Sequence, residues 1–277
     1  MRARVIRLAV LVVALAVGAA ACGKYSISNI RSLKAFQDAN ALYKKGEYSR
    51  AAQRYTDAVT LNPDLGFAYF FLGNSYDNLY KPGRRGEPEN DANLPKAAEN
   101  YRLAVEKMSA STDPKELEIR KLAFEYLIAV YGPEKLNDFT KAEPVAKELI
   151  ALAPNDPTGY QTLGRLYEDV GRPEDAYQIY QDGVRRYPTS AEFYYHLGVM
   201  KWGQGDVTEG IALLRKACEL NQQYFDWYNA LFTALWQSDR KPEALDVLRG
   251  WVRAHPEDRE GARNLKLFED SLSAAGR

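Results

Sequence analysis

Between Gly159 and Ser190, Tyr160, Leu163, Gly164 and Tyr167 recur at spacings of three and four residues, which places them on one face of a helix. A second stripe follows at Ala176, Tyr180 and Gly183, with Arg165, Glu168, Glu174 and Asp175 among the polar positions around the two. Gly171 stands between the stripes, where glycine accepts the left-handed conformation that ends a helix. Pro188 has no N–H to donate and helps stop the second stripe. The pattern predicts two short helices joined by a tight turn.

The same pattern returns downstream. Tyr160, Tyr194 and Tyr228 are 34 residues apart, and so are Leu163, Leu197 and Leu231. Ala176, Gly210 and Ala244 keep the interval, as do Tyr180, Leu214 and Leu248. Gly171 and Gly205 share it too, with Asp239 in the third copy. Several independent positions fix one period, so the chain is an array of like units, each too small to bury its apolar face without its neighbours.

A 34-residue helix–turn–helix with an aromatic, Leu-Gly, Tyr, Ala, aromatic, Ala and Pro at set positions resembles the tetratricopeptide repeat (TPR) family. On that register repeat one spans 32–65 and carries Leu42, Gly46, Tyr48, Ala51, Tyr55, Ala58 and Pro63. Repeat two, 66–114, carries Tyr69, Leu72, Gly73 and Tyr76, then Ala97, Tyr101 and Ala104. Its step from Tyr76 to Ala97 is 21 residues where repeats one, four, five and six use nine, so 12 residues are inserted between its two helices, within 81–93. Repeat three, 115–156, is the most degenerate, with Phe124, Leu127, Tyr131, Phe139, Ala142 and Pro154. Repeats four to six occupy 157–190, 191–224 and 225–258, and 259–277 reads as an amphipathic capping helix and tail. The resemblance implies an all-α fold: a right-handed α-solenoid of about six repeats, with a long concave surface that binds a peptide or partner protein.

The N-terminus is of another kind. Arg2, Arg4 and Arg7 precede an apolar run, Leu8 to Val17, that is shorter than the ~20 residues of a spanning helix. Residues 1–21 therefore read as an export signal, with 22–31 as a linker ahead of the array. Small residues before Cys22 resemble the bacterial lipobox, although Ala19 stands where that motif most often has Leu. The same residues fit an ordinary A-x-A cleavage site. A free thiol at the new N-terminus suits an oxidising compartment poorly, which favours lipidation of Cys22. The expected location is the bacterial cell envelope; Gly23, in place of the Asp that retains many lipoproteins at the inner membrane, favours the outer membrane facing the periplasm. Cys218 lies in an apolar helical pattern and reads as a small buried hydrophobe.

Charge narrows the partners. Lys+Arg and Asp+Glu both number 37, with no basic excess of the kind that holds a protein on phosphate, so no nucleic acid is expected. Hydrophobic residues make up 46% of the chain, ample for a core. There are two histidines, His196 and His255, in different repeats, and no phosphate loop, nucleophile elbow or spaced metal-ligand set. His196 reads as structural or as part of a groove edge. Neither catalysis nor a metal or cofactor is expected.

In the family, the fifth, ninth and twelfth positions of each repeat lie on the concave face, at i, i+4 and i+7 of the first helix. Carried onto this sequence they give Phe36, Asn40 and Tyr43; Phe70, Asn74 and Asp77; Gln161, Arg165 and Glu168; Tyr195, Val199 and Trp202; and Asn229, Thr233 and Trp236. A two-carboxylate clamp does not fit, because Phe36 and Phe71 stand where basic or amide groups are needed. An extended peptide with apolar anchors fits better. Within the insertion, Arg84 and Arg85 are candidates for a second contact. The plan is similar to small envelope TPR lipoproteins that help assemble pilus secretins or outer-membrane β-barrels. The alternative is an accessory regulator of a cell-wall or envelope enzyme.

Overall fold

A computed structural model describes residues 26–275; residues 1–21, read above as an export signal, and Cys22 lie outside them. No strand occurs among the described residues. The chain divides between Leu152 and Ala153 into two compact units.

The first unit begins with α1 (Ile27–Lys44), whose first turn is capped by Ser26 accepting the Asn29 N–H at 3.1 Å, and α2 (Tyr48–Leu61). Next come α3 (Gly66–Leu79), the short α4 (Pro88–Asp91) and α5 (Asn93–Lys107). The unit ends with α6 (Pro114–Tyr131) and α7 (Phe139–Leu152). Successive long helices pack on one another: α1 on α2, α2 on α3, α3 on α5, α5 on α6 and α6 on α7.

The second unit holds α8 (Thr158–Asp169) with α9 (Pro173–Arg186), α10 (Ala191–Gly203) with α11 (Val207–Leu220), and α12 (Phe225–Gln237) with α13 (Lys241–Ala254). Helix α14 (Arg259–Ala275) closes it. Its Phe268 lies 4.5 Å from Phe232 and 5.0 Å from Trp236, ring to ring, so it covers the apolar side that the last pair would otherwise expose. Asp258 starts this helix by accepting the Glu260 and Gly261 N–H groups at 3.0 Å and the Trp251 indole N–H at 2.6 Å.

One packing pattern recurs in the pairing. In three of the pairs the second helix buries positions i, i+4 and i+7, with small residues beside one large one: Ala51, Tyr55 and Ala58, then Ala97, Tyr101 and Ala104, then Ala176, Tyr180 and Gly183. The small residues let the first helix approach, and the ring between them fills the gap. The approach is closest at Gly164, where a Cβ would stand 2.1 Å from the Tyr180 ring. The turns obey the same economy: Gly171 and Gly205 have φ of 70° and 89°, and Asp239, at the equivalent place, adopts 58°.

The insertion in the first unit is structured. After α3 the chain makes a 3-10 turn at Pro82–Arg84, forms α4 and re-enters the register at Asn93. Asn90 is buried beneath it: its Oδ1 accepts the Lys81 N–H at 2.8 Å, and its Nδ2 donates to the Lys81 and Arg84 carbonyls at 3.1 Å. Arg85 donates to the Tyr80 hydroxyl at 3.2 Å and reaches the Glu134 and Lys135 carbonyls in the α6–α7 loop. Arg84 pairs with Glu87 inside the insertion. Both arginines offered as contacts for a partner are therefore engaged within the chain, Arg85 as the clasp that fastens the insertion to the next helix pair.

Candidate functional site

In the first unit the concave positions are spent largely on packing. Phe36 lies 5.7 Å from Tyr55 and 6.0 Å from Phe71, and Tyr43 lies edge-on to Tyr48 at 5.2 Å. Asn40 accepts the Tyr55 hydroxyl at 2.6 Å, and Asp77 pairs with Lys135 at 2.6 Å. Phe70 and Asn74, expected in the groove, are 4% and 6% exposed. Phe70 is covered by α6, whose Tyr126 stands edge-on to it at 5.8 Å and 5.6 Å from the Tyr101 ring. As direct partner contacts these two residues are corrected to core.

The second unit is different. Gln161 and Arg165 of α8, the turn at Thr189–Ser190, Glu192, Tyr195 and His196 of α10, Asn221 and Tyr224 ahead of α12, and Trp227 of α12 line an open cleft of about 490 Å³. Ring stacking builds one wall: Tyr195 and Trp227 are 5.6 Å apart and inclined by 20°, and Tyr224 leans on Trp227 at 4.7 Å. Tyr224 remains 53% exposed, an aromatic surface held in place but not covered. Such rings bury a large area on contact for little loss of rotamer freedom.

Beside the wall is an ionic cluster, with His196 edge-on to Tyr195 at 5.2 Å. His196 Nδ1 lies 3.1 Å from Glu168, its Nε2 faces Glu192 at 3.8 Å, and Arg165 lies 3.6 Å from Glu192. The Tyr180 hydroxyl donates to Glu168 at 2.9 Å, while its ring stacks on the imidazole at 4.6 Å. Burial opposes charge on His196, but the carboxylates of Glu168 and Glu192 outweigh it and raise the imidazole pKa. Glu192 is held below the usual carboxylate value chiefly by His196, against the opposing effect of burial. The cleft thus offers aromatic faces beside fixed charges of both signs, and the Gln161 amide in its lining donates to the Ser190 hydroxyl at 3.2 Å.

Of the expected concave residues in this unit, Gln161, Arg165 and Tyr195 line the cleft, and Glu168 holds His196 from behind. Val199, Trp202, Asn229, Thr233 and Trp236 lie outside its lining. Trp202 packs on α11 beside Gly210, and Trp236 packs against both Phe232 and Phe268. Thr233 bonds back to the Asn229 carbonyl at 2.7 Å. The fifth–ninth–twelfth rule missed Glu192, Tyr224 and Trp227, which sit at or just ahead of the first turn of their helices. A run of aromatics at the start of a first helix, as in "YFDWY", was the available signal.

The tetratricopeptide repeat model matches residues 162–225 and 201–259, the segment that carries the aromatic wall. Residues 162–259 are tetratricopeptide repeats. Among solved structures, one from a functional characterisation of Pseudomonas aeruginosa pilF has a TM-score of 0.54 at 11% identity, covering 87% of this chain and 98% of that one, a likeness of fold. Among curated proteins, this chain is 22% identical over 235 residues to human protein O-mannosyl-transferase TMTC3, covering 83% of this chain and 25% of that protein. It is 21% identical to Arabidopsis thaliana Hsp70-Hsp90 organizing protein 3, over 89% of this chain and 47% of the relative. The chain thus spans half or less of the length of these two relatives. TPR proteins generally mediate protein–protein interactions.

Proposed function

We propose that the second unit binds an extended segment of a partner protein in the cleft between Arg165 and Trp227, and that the chain is a non-catalytic adaptor. The observation that carries this is the Tyr195–Trp227–Tyr224 wall lining one cleft with Arg165, Glu192 and His196. An apolar or aromatic anchor of the partner would lie on the rings, and its polar backbone or side chains would meet the charged edge. Substituting Tyr195 and Trp227 by Ala should lower partner affinity by about 2–4 kcal/mol, the range of a pair of aromatic hot spots. Neither ring is fully buried, so the helical circular dichroism should persist. Unchanged affinity would remove the cleft from the account.

The finer reading places this adaptor on a lipid anchor at Cys22 in the bacterial envelope, where it serves assembly of a secretin, pilus or outer-membrane protein complex. Its support is the leader and the cysteine that follows the small residues. Cys22→Ala should release the chain from membranes, and an unchanged distribution on fractionation would refute the anchor. Crosslinking in membranes then separates the roles: a secretin or barrel component supports assembly, whereas a cell-wall enzyme replaces it with the accessory reading.

A further inference from the structure

One face of α1 has no work inside its unit. Ile27 is 70% exposed, Ile30 58% and Leu33 44%, although each is apolar. Leu61, 37% exposed, joins them at the end of α2, where its carbonyl accepts the Ser28 hydroxyl at 2.6 Å. The inward side of the helix is marked by the buried Ser32 and Ala39, with Ser32 donating to the Ala58 carbonyl at 2.8 Å. At the helical angle per residue, Ile27, Ile30, Arg31 and Lys34 share one sector roughly 100° wide, away from Ser32 and Ala39. Within α1, Arg31, Lys34 and Lys44 are opposed by Asp38 alone, and Lys24 lies just ahead in the sequence.

We propose that this face of α1 rests on the surface of an anionic bilayer, beside the acyl group on Cys22. The inference rests on the lipid-anchor reading for its location. Four residues separate Cys22 from Ile27, so the face begins five steps along the chain and within about 17 Å of the anchor even when that segment is fully extended. A single acyl chain binds membranes only marginally, and stable attachment takes a second apolar or basic element. Ile27 and Ile30 supply the apolar element, with Leu33 at its edge, and Arg31 the attraction to anionic headgroups, since Lys34 is paired with Asp38 at 3.0 Å. Among the described residues no helix is long and apolar enough to cross a membrane, and this contact needs none: the helix lies in the interface.

The test is hydrogen exchange on the purified full chain, with and without vesicles of phosphatidylethanolamine and phosphatidylglycerol, after mass measurement of the N-terminus. The expected result is slower exchange across 27–34 on these vesicles. Ile27→Glu with Ile30→Glu should lose that protection and reduce vesicle partitioning by roughly tenfold or more. Both side chains are exposed, and acidic residues suit a helix N-terminus, so loss of contact in this variant is not loss of the helix. Co-flotation with no protection of 27–34 overturns the proposal while leaving the anchor in place. An unacylated Cys22 overturns the anchor, and the same footprint then judges the face by itself. Equal protection on phosphatidylcholine alone contradicts the anionic assignment. Protection that grows with protein concentration in the absence of vesicles means that a second copy covers the face, and refutes a lipid contact.

Discussion

His196 is set between two carboxylates and under the Tyr180 ring, and this placement ties stability to pH with a definite sign. Its pKa is raised above the ordinary 6.5 in the folded chain, so its stabilising contribution is complete below 6.5 and fades as pH rises through the folded value. Glu192, depressed below 4.5, contributes above that value and loses its contribution as pH falls through the folded pKa. Thermal melts should therefore show greatest support from this cluster between those limits. His196→Gln, which keeps a donor but cannot titrate, should flatten the alkaline side; an identical decline in the variant would show that another group is responsible. Close packing gives a second residue-scale test. Gly164→Ala would drive a methyl group to 2.1 Å from the Tyr180 ring and should cost about 1–3 kcal/mol. Gly250→Ala, on α13 with nothing within 4 Å, should stabilise by about 0.5–1 kcal/mol. Urea denaturation of the two variants checks the contrast.

At the scale of elements, the insertion is held by one buried amide and one arginine. Asn90→Ala would leave the Lys81 N–H without its partner and take one of two donors from the Lys81 and Arg84 carbonyls, at a cost of about 1–3 kcal/mol, and should open 81–91 to protease before the rest of the first unit. Cleavage there at the wild-type rate would mean that the Arg85 clasp suffices. The presence of extra residues was legible from the broken period between Tyr76 and Ala97, because a fixed register exposes any departure. Their folding onto the Glu134–Lys135 loop was not, because that contact joins residues about 50 apart and leaves no periodic trace. The same distinction runs through the site. Tyr195, Gln161 and Arg165 follow from repeat positions. Trp227 and Tyr224 reach the cleft from the start of the next helix, a placement set by the turn and not by the period. Phe70 and Asn74 fit the positional rule but are buried, Phe70 beneath Tyr126 of a first helix that is 18 residues long.

At the scale of the whole molecule, the second unit carries the exposed aromatic wall and the ionic edge, while in the first unit Phe36, Phe70 and Asn74 are packed against their own neighbours. The all-α repeat fold itself was readable from sequence, since the spacing of Tyr160, Leu163 and Ala176 and their copies states both the helix faces and the unit length. The central claim is that the cleft of the second unit holds a partner. It is tested most directly by placing a photoreactive phenylalanine at position 224 in the cell and, as a control, at position 267, where Leu267 is 64% exposed on α14. The account predicts a discrete protein adduct from 224 that disappears when Tyr195 and Trp227 are changed to Ala, and no such adduct from 267. An adduct equally strong from both sites, or one from 224 that survives loss of the aromatic wall, would contradict it.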